Sequence, residues 1–158
     1  MTLGVFYAGL GVFSAVVFAG IGSAIGIGTA GQVASGALSE DPKNFGKYLM
    51  LVALPGTQGI YGFVIGFLIL LKLKVLTGSI PALSVGQGLF ILTAALPIGL
   101  SGLFSAIHQG KVCASGIEMA AKQPNDVGKA LVMSVFVELY AVLGLLISFF
   151  LVWFGINV

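Results

Sequence analysis

The sequence predicts an all-α membrane protein of four transmembrane helices, arranged as two tandem helical hairpins that lie parallel to one another. Composition points there first: of 158 residues, 58% are hydrophobic and 8% charged, against roughly 25% charged in a soluble domain. The apolar runs are also long enough, at about 1.5 Å per residue, to cross a hydrocarbon core of roughly 30 Å. Finally, the two halves superpose without a gap on a single constant shift. That shift places Gly20 on Gly102, Ser23-Ala-Ile25 on Ser105-Ala-Ile107, Gly28 on Gly110, Pro42 on Pro124, Gly46-Lys47 on Gly128-Lys129 and Gly62 on Gly144. Each repeat holds an even number of crossings, so the hairpins are parallel, unlike the inverted repeats of many transporters. The first hairpin is assigned to residues 1–76 and the second to 84–158.

The first span runs from about Leu3 to beyond Gly31. No basic region precedes it and its apolar run is too long for a signal peptide, so it is expected to be retained. Gly20, Ala24 and Gly28, like Gly22, Gly26 and Ala30, recur four apart, a spacing that lets helix backbones approach closely in lipid. Gly26-Ile-Gly28-Thr-Ala-Gly31 spells a dinucleotide fingerprint, but that motif needs a preceding strand, and the context here is a membrane helix. The polar turn Ser39–Gly46 contains Pro42 and ends the hairpin's first arm.

The second span, from about Lys47 to Leu73, carries Leu54-Pro-Gly-Thr-Gln-Gly-Ile-Tyr61 near its middle. Residues 54, 57, 58 and 61 share one face. Pro55 has no N–H for the Leu51 carbonyl and Gly56 weakens the same turn, so a carbonyl oxygen there is free to face a ligand. After the connection Lys72–Leu83, the third span starts at about Ser84 and reaches Lys111. It repeats the small-residue ladder in Gly102, Ala106 and Gly110, and its amphipathic end continues to Lys122. The fourth, Ala130 to Phe154, contains a single charged residue, Glu138. A carboxylate at that depth costs about 2.5 kcal/mol or more unless a proton, a cation or a partner neutralises it, which marks Glu138 as a functional group.

Four spans and short turns leave no room for a soluble catalytic domain, so any enzymatic activity must belong to partners. The net charge of +2 comes with lysines scattered outside the apolar runs, which implies neither nucleic acid nor an acidic substrate. Cys113 is the one cysteine, which excludes an internal disulfide and reads as a small packing residue. Lys43, Lys47, Lys111, Lys122 and Lys129 flank the two hairpin turns, against Lys72 and Lys74 at the middle connection. The positive-inside rule therefore puts both turns in the cytoplasm and both termini outside. Trp153 suits an interfacial anchor.

Gln109 and Glu138 are equally far along their helices from the turn at Gln123-Pro124, and Thr57 and Gln58 lie about as far beyond Pro42. At about 1.5 Å per residue all four therefore fall at one depth, roughly 22 Å from the tips. A carboxylate, two amide oxygens, a hydroxyl and a loosened carbonyl suit a hard cation, and one negative charge balances a monovalent ion. Sodium fits the set. A proton needs only the carboxylate, so the additional oxygens favour Na⁺ over H⁺. Tyr61, one turn from Thr57 and Gln58, reads either as a hydroxyl latch on Glu138 or as an ordinary buried tyrosine. His108 points about 100° away from Gln109 and reads as a core or helix-interface histidine. A proton-coupled exporter would also use a single membrane glutamate, though its repeats would more often be inverted; a purely structural assembly would need none.

The duplicated hairpin, the segment Leu54-Pro-Gly-Thr-Gln-Gly-Ile-Tyr-Gly-Phe63, Gln109-Gly-Lys111 and the lone Glu138 resemble the proteolipid subunit that forms the rotor ring of V-type ATPases, especially its bacterial sodium-pumping form, over essentially the whole chain. The resemblance implies a ring of copies in the cell membrane, working with a stator membrane subunit and central-stalk subunits. It implies a transported Na⁺ held by the Leu54 carbonyl, Thr57, Gln58, Gln109 and Glu138, with Tyr61 hydrogen-bonding the carboxylate. Leu54 in that set rests on the resemblance, because proline geometry alone would name Leu51. The glycine ladders suit an inner ring built of the first and third spans, with the second and fourth outside.

Overall fold

The computed structural model describes residues 2–156, so the first residue of one hairpin and the last two of the other lie outside the described residues. Four helices are long and apolar enough to cross a membrane: α1 (Leu3–Glu40), α2 (Pro42–Lys72), α3 (Val85–Lys122) and α4 (Pro124–Gly155). α1 and α2 extend further toward the first turn than the apolar runs alone indicate. The cause is local capping. The Asp41 carboxylate accepts from the Lys43 amide (3.0 Å) and from the Asn44 side chain (2.7 Å), so Pro42 can open α2 directly with a 3₁₀ turn. α3 begins at a capping box, in which the Ser84 hydroxyl accepts from the Gln87 amide and the Gln87 side chain accepts from the Ser84 amide.

Two helices depart from α geometry inside the apolar region. α1 widens to a π turn at Ser14–Phe18, where the Ser14 hydroxyl bonds the Gly11 carbonyl. α2 tightens to a 3₁₀ turn at Leu54–Gly56, around Pro55. Pro97 also sits within α3, and there the next amide, that of Ile98, donates to the Ser148 hydroxyl of α4 at 3.1 Å. A neighbouring helix thus satisfies backbone that the proline leaves unpaired.

Packing follows the small residues. A Cβ built on Gly22 would lie 2.7 Å from the Leu103 Cα, and one on Gly26 would collide with the Ala106 carbonyl, so the backbones of α1 and α3 touch there. Within each hairpin the contacts repeat. A Cβ on Gly62 would meet Ala15 and Ala19, and one on Gly144 would meet Pro97 and Ser101, the residues equivalent by the repeat shift. Large apolar side chains of α2 and α4, including Phe63, Phe136 and Leu143, are exposed. α1 and α3 also carry exposed apolar side chains, among them Phe6, Phe13, Phe90 and Phe104, though fewer.

The buried apolar residues form two clusters. One, toward the middle connection, includes Ala8, Ile65, Ile69, Ile91, Ile98 and Val152. The other, toward the hairpin turns, includes Ala30, Tyr48, Leu51, Cys113, Ile117 and Ala130. Cys113 is buried there in packing contact, with its thiol 3.2 Å from the Ser134 hydroxyl. Between the clusters lies a layer of buried polar side chains. Near the connection, the Lys72 ammonium bonds the Trp153 carbonyl (2.9 Å) and stands 5.0 Å from the centre of the Trp153 ring, tying the end of α2 to the end of α4.

Candidate ion site

The polar layer is built from three helices. The 3₁₀ turn of α2 ends where Thr57 starts a regular helix, and the Leu54 carbonyl accepts both the Thr57 amide of that turn and the Thr57 hydroxyl, the latter at 2.9 Å. The Leu54 carbonyl therefore lies beside the polar stripe with two donors already on it, while the Leu51 side chain packs in the cluster below. One turn further on, Tyr61 reaches across to α4, and its hydroxyl donates to Glu138 Oε1 at 2.7 Å.

Gln58 and Gln109 are both fully buried and bonded directly to each other, Gln58 Nε2 donating to Gln109 Oε1 at 2.7 Å. Their remaining N–H groups have fixed acceptors: Gln58 Nε2 also meets the Ser105 hydroxyl at 3.2 Å, and Gln109 Nε2 meets the Ser134 carbonyl at 3.0 Å and Glu138 Oε2 at 3.4 Å. With the amide nitrogens committed to serine and backbone, Gln58 Oε1 is left on the side of Thr57, 3.3 Å from its hydroxyl. Glu138 thus lies on the inner side of α4, partly buried, with each oxygen holding one donor from another helix.

The result is a cluster of oxygens at one depth, with one carboxylate among them. Among the described residues, no three of His, Cys, Asp and Glu group together. Imidazole and thiolate, the donors that suit zinc or copper, are not the donors assembled here; carboxylate, amide, hydroxyl and carbonyl oxygens suit a hard cation.

Comparison with known proteins accords with this geometry. The profile of the family described as the C subunit of ATP synthase matches twice, at residues 10–69 and 92–151, two segments displaced from each other by the same interval as Gly20 from Gly102 in the internal repeat. The chain belongs to the ATP synthase C-subunit family. It is 49% identical, over 94% of its length and 92% of the relative's, to the V-type sodium ATPase subunit K of Enterococcus hirae. It is 40% identical to the A-type ATP synthase subunit K of Methanocaldococcus jannaschii, over 96% of this chain and 62% of that one. It is 31% identical to the 16 kDa proteolipid of the V-type proton ATPase of Nephrops norvegicus, over 92% and 89%.

Family membership sharpens the contrast between the two repeats. By the repeat shift Glu138 corresponds to Gly56, and Gln109 to Ile27. In the structure Ile27 lies over Gly56: a Cβ on the glycine would be 3.1 Å from Ile27 Cδ1. The first repeat has an isoleucine packed where the second has an amide and a carboxylate.

Two features of the site are not evident from sequence. Ser105 holds Gln58 while donating its own proton to the Val137 carbonyl at 3.0 Å. It stands four residues before Gln109 on the same helix face, the signal that could have found it. Of the two readings of His108, core or helix-interface, the first does not hold within the chain: His108 is exposed, because the buried stripe of α3 passes through Ser105, Gln109 and Cys113.

Proposed function

We propose that this chain is the ion-carrying rotor-ring subunit of a V-type rotary ATPase, and that the ion is Na⁺. The observation that carries the reading is the convergence of Glu138, Gln58, Gln109, Thr57 and the Leu54 carbonyl at one level of the bundle, with both amides fully buried. The chain itself is the non-catalytic membrane part of the complex; ATP is hydrolysed by partner subunits. Similarity to a relative named for a sodium ATPase supports the cation, and similarity to one named for a proton ATPase makes H⁺ the alternative the experiment must exclude.

Function follows from charge. An ionised Glu138 paired with one Na⁺ is neutral as a unit and can pass through lipid, whereas the bare carboxylate cannot. A divalent ion would leave one positive charge uncompensated. Thr57 and Gln58 supply neutral oxygens that replace part of the ion's water shell, and Tyr61 holds the carboxylate inward while the ion is bound. Where a stator subunit offers water and a positive side chain, the ion-free carboxylate becomes the favoured form and the ion leaves. Five lysines around the hairpin turns, against two at the middle connection, support turns in the cytoplasm. The touching backbones of α1 and α3, with the greater share of exposed large apolar side chains on α2 and α4, support an inner ring of the former pair.

Carbodiimide labelling of Glu138 in the assembled complex at fixed pH tests the ion. Added Na⁺ is expected to slow the labelling, with K⁺ having no such effect. Protection by acid alone would assign the site to protons.

A further inference from the structure

α2 consists of two α-helical segments, and the second begins at the ion site. Regular helix resumes at Thr57 after the 3₁₀ turn Leu54–Gly56, and the position that would cap it is Gly56, which has no side chain to do so. The first amides of a helix have no partner inside it, and at membrane depth an unpaired amide is costly. The first of them, that of Thr57, bonds the Leu54 carbonyl. The third, that of Gly59, donates to the Ser23 hydroxyl of α1 at 2.8 Å. A capping side chain ordinarily belongs to the same chain segment and accepts the second or third amide of its helix. Here a serine of a neighbouring helix takes that place.

The surroundings fix this contact. Ser23 is buried, with 6% exposure. A Cβ at Gly59 would stand 3.1 Å from Ser23 Oγ and 3.2 Å from Ser23 Cβ, so the absence of a side chain at Gly59 lets the two helices meet there. On its other side α1 is closed against α3 by Gly22 and Gly26, which flank Ser23 and leave it little freedom to shift. The repeat supplies a counterpart: Ser23 corresponds to Ser105, which donates to the Val137 carbonyl. Each hairpin thus has a serine on its first helix bonded to the backbone of its second, one residue from Gln58 in one case and one residue from Glu138 in the other.

We propose that Ser23 is a positioning residue of the ion site, which caps the Thr57–Lys72 segment from α1 and so sets the facing of the Thr57 and Gln58 oxygens without itself touching the ion. The inference rests on the reading of the site as one for Na⁺. Without the Ser23 oxygen, the acceptor left to the Gly59 amide is the Pro55 carbonyl, four residues back, as in a continuous α-helix. Taking it up draws α geometry into the 3₁₀ turn and changes the facing of Thr57 and Gln58. The bonds from Tyr61 and Gln109 to Glu138 do not involve Ser23.

The test is carbodiimide labelling of Glu138 in the assembled complex, titrated with Na⁺ at fixed pH. Ser23→Ala is expected to raise the Na⁺ concentration for half-maximal protection by about tenfold, and Ser23→Thr, which keeps the oxygen, to recover most of that loss. The pH profile of labelling without Na⁺ is expected to coincide with that of the wild type, since the donors on Glu138 are untouched; a role in general packing would move both curves. An unchanged Na⁺ titration in Ser23→Ala would overturn the proposal, and so would equal displacement of the Na⁺ titration and the pH profile. Should Ser23→Ala fail to assemble, Ser23→Cys, which keeps a side chain of similar shape with a weak acceptor, carries the same expectation. Wild-type protection by Na⁺ with an unaltered variant removes Ser23 and leaves the sodium reading standing. Absence of Na⁺ protection in the wild type removes both.

Discussion

Glu138 sets the terms at the scale of single residues, since every other polar group of the site is neutral. Glu138→Gln removes the one negative charge, and the expected outcome is loss of Na⁺-dependent ATP hydrolysis and transport in the assembled complex; intact coupled transport would defeat the rotor reading. Tyr61→Phe deletes a bond from a hydroxyl to a charged group, typically about 1.5–3 kcal/mol. The carboxylate should then open more often, so carbodiimide labelling at saturating Na⁺ should accelerate, with little change in complex assembly. Ser105→Ala leaves Gln58 Nε2 with Gln109 alone. Because the amide is buried, about 1–3 kcal/mol is at stake, and Na⁺ affinity read by protection of Glu138 should fall by about tenfold. Sequence spacing brought Thr57, Gln58, Gln109 and Glu138 to one depth because helical rise is constant. It puts Ser105 on the face of Gln109 but is silent on its role, which comes from the amide proton it receives from Gln58.

Among the helices, the close contact of α1 with α3 is the most exacting demand. Gly26→Ala would drive a methyl group into the Ala106 carbonyl, and overpacking of this kind costs about 1–3 kcal/mol. Thermal dissociation of the complex in detergent should occur at a lower temperature. Gly46→Ala, where a Cβ meets nothing within 4 Å, should leave it unchanged or raise it slightly. The helices themselves were legible as apolar runs, and their ends less so, since the Asp41 cap extends helix into a stretch that composition marks as a turn. The π turn at Ser14–Phe18 carries no proline or other sequence signal. Pro55 did announce a disturbance. Besides the bond it removes from the Leu51 carbonyl, it tightens Leu54–Gly56 to a 3₁₀ turn in which the Leu54 carbonyl accepts the Thr57 hydroxyl.

For the molecule as a whole, the repeat was visible because duplication preserved glycines at backbone contacts, and the exposure of His108 was not, because a single helix has no inherent inside. Orientation is testable at this scale: a cysteine at Asn44 should react with an impermeant maleimide from the cytoplasmic side, and one at Thr77 from the other, in a Cys113→Ser background. The isoleucine that fills the first repeat has a mechanical meaning. On the proposed rotor, with Ile27 against Gly56 and an acid only in the second repeat, half of the hairpins would be idle teeth, so a wheel of given circumference would deliver half the cargo per revolution. Each delivered charge then receives twice the share of the work of turning. At about 2.3 kcal/mol per charge for every 100 mV, that gearing exchanges throughput for the steepness of the gradient against which the machine can still run.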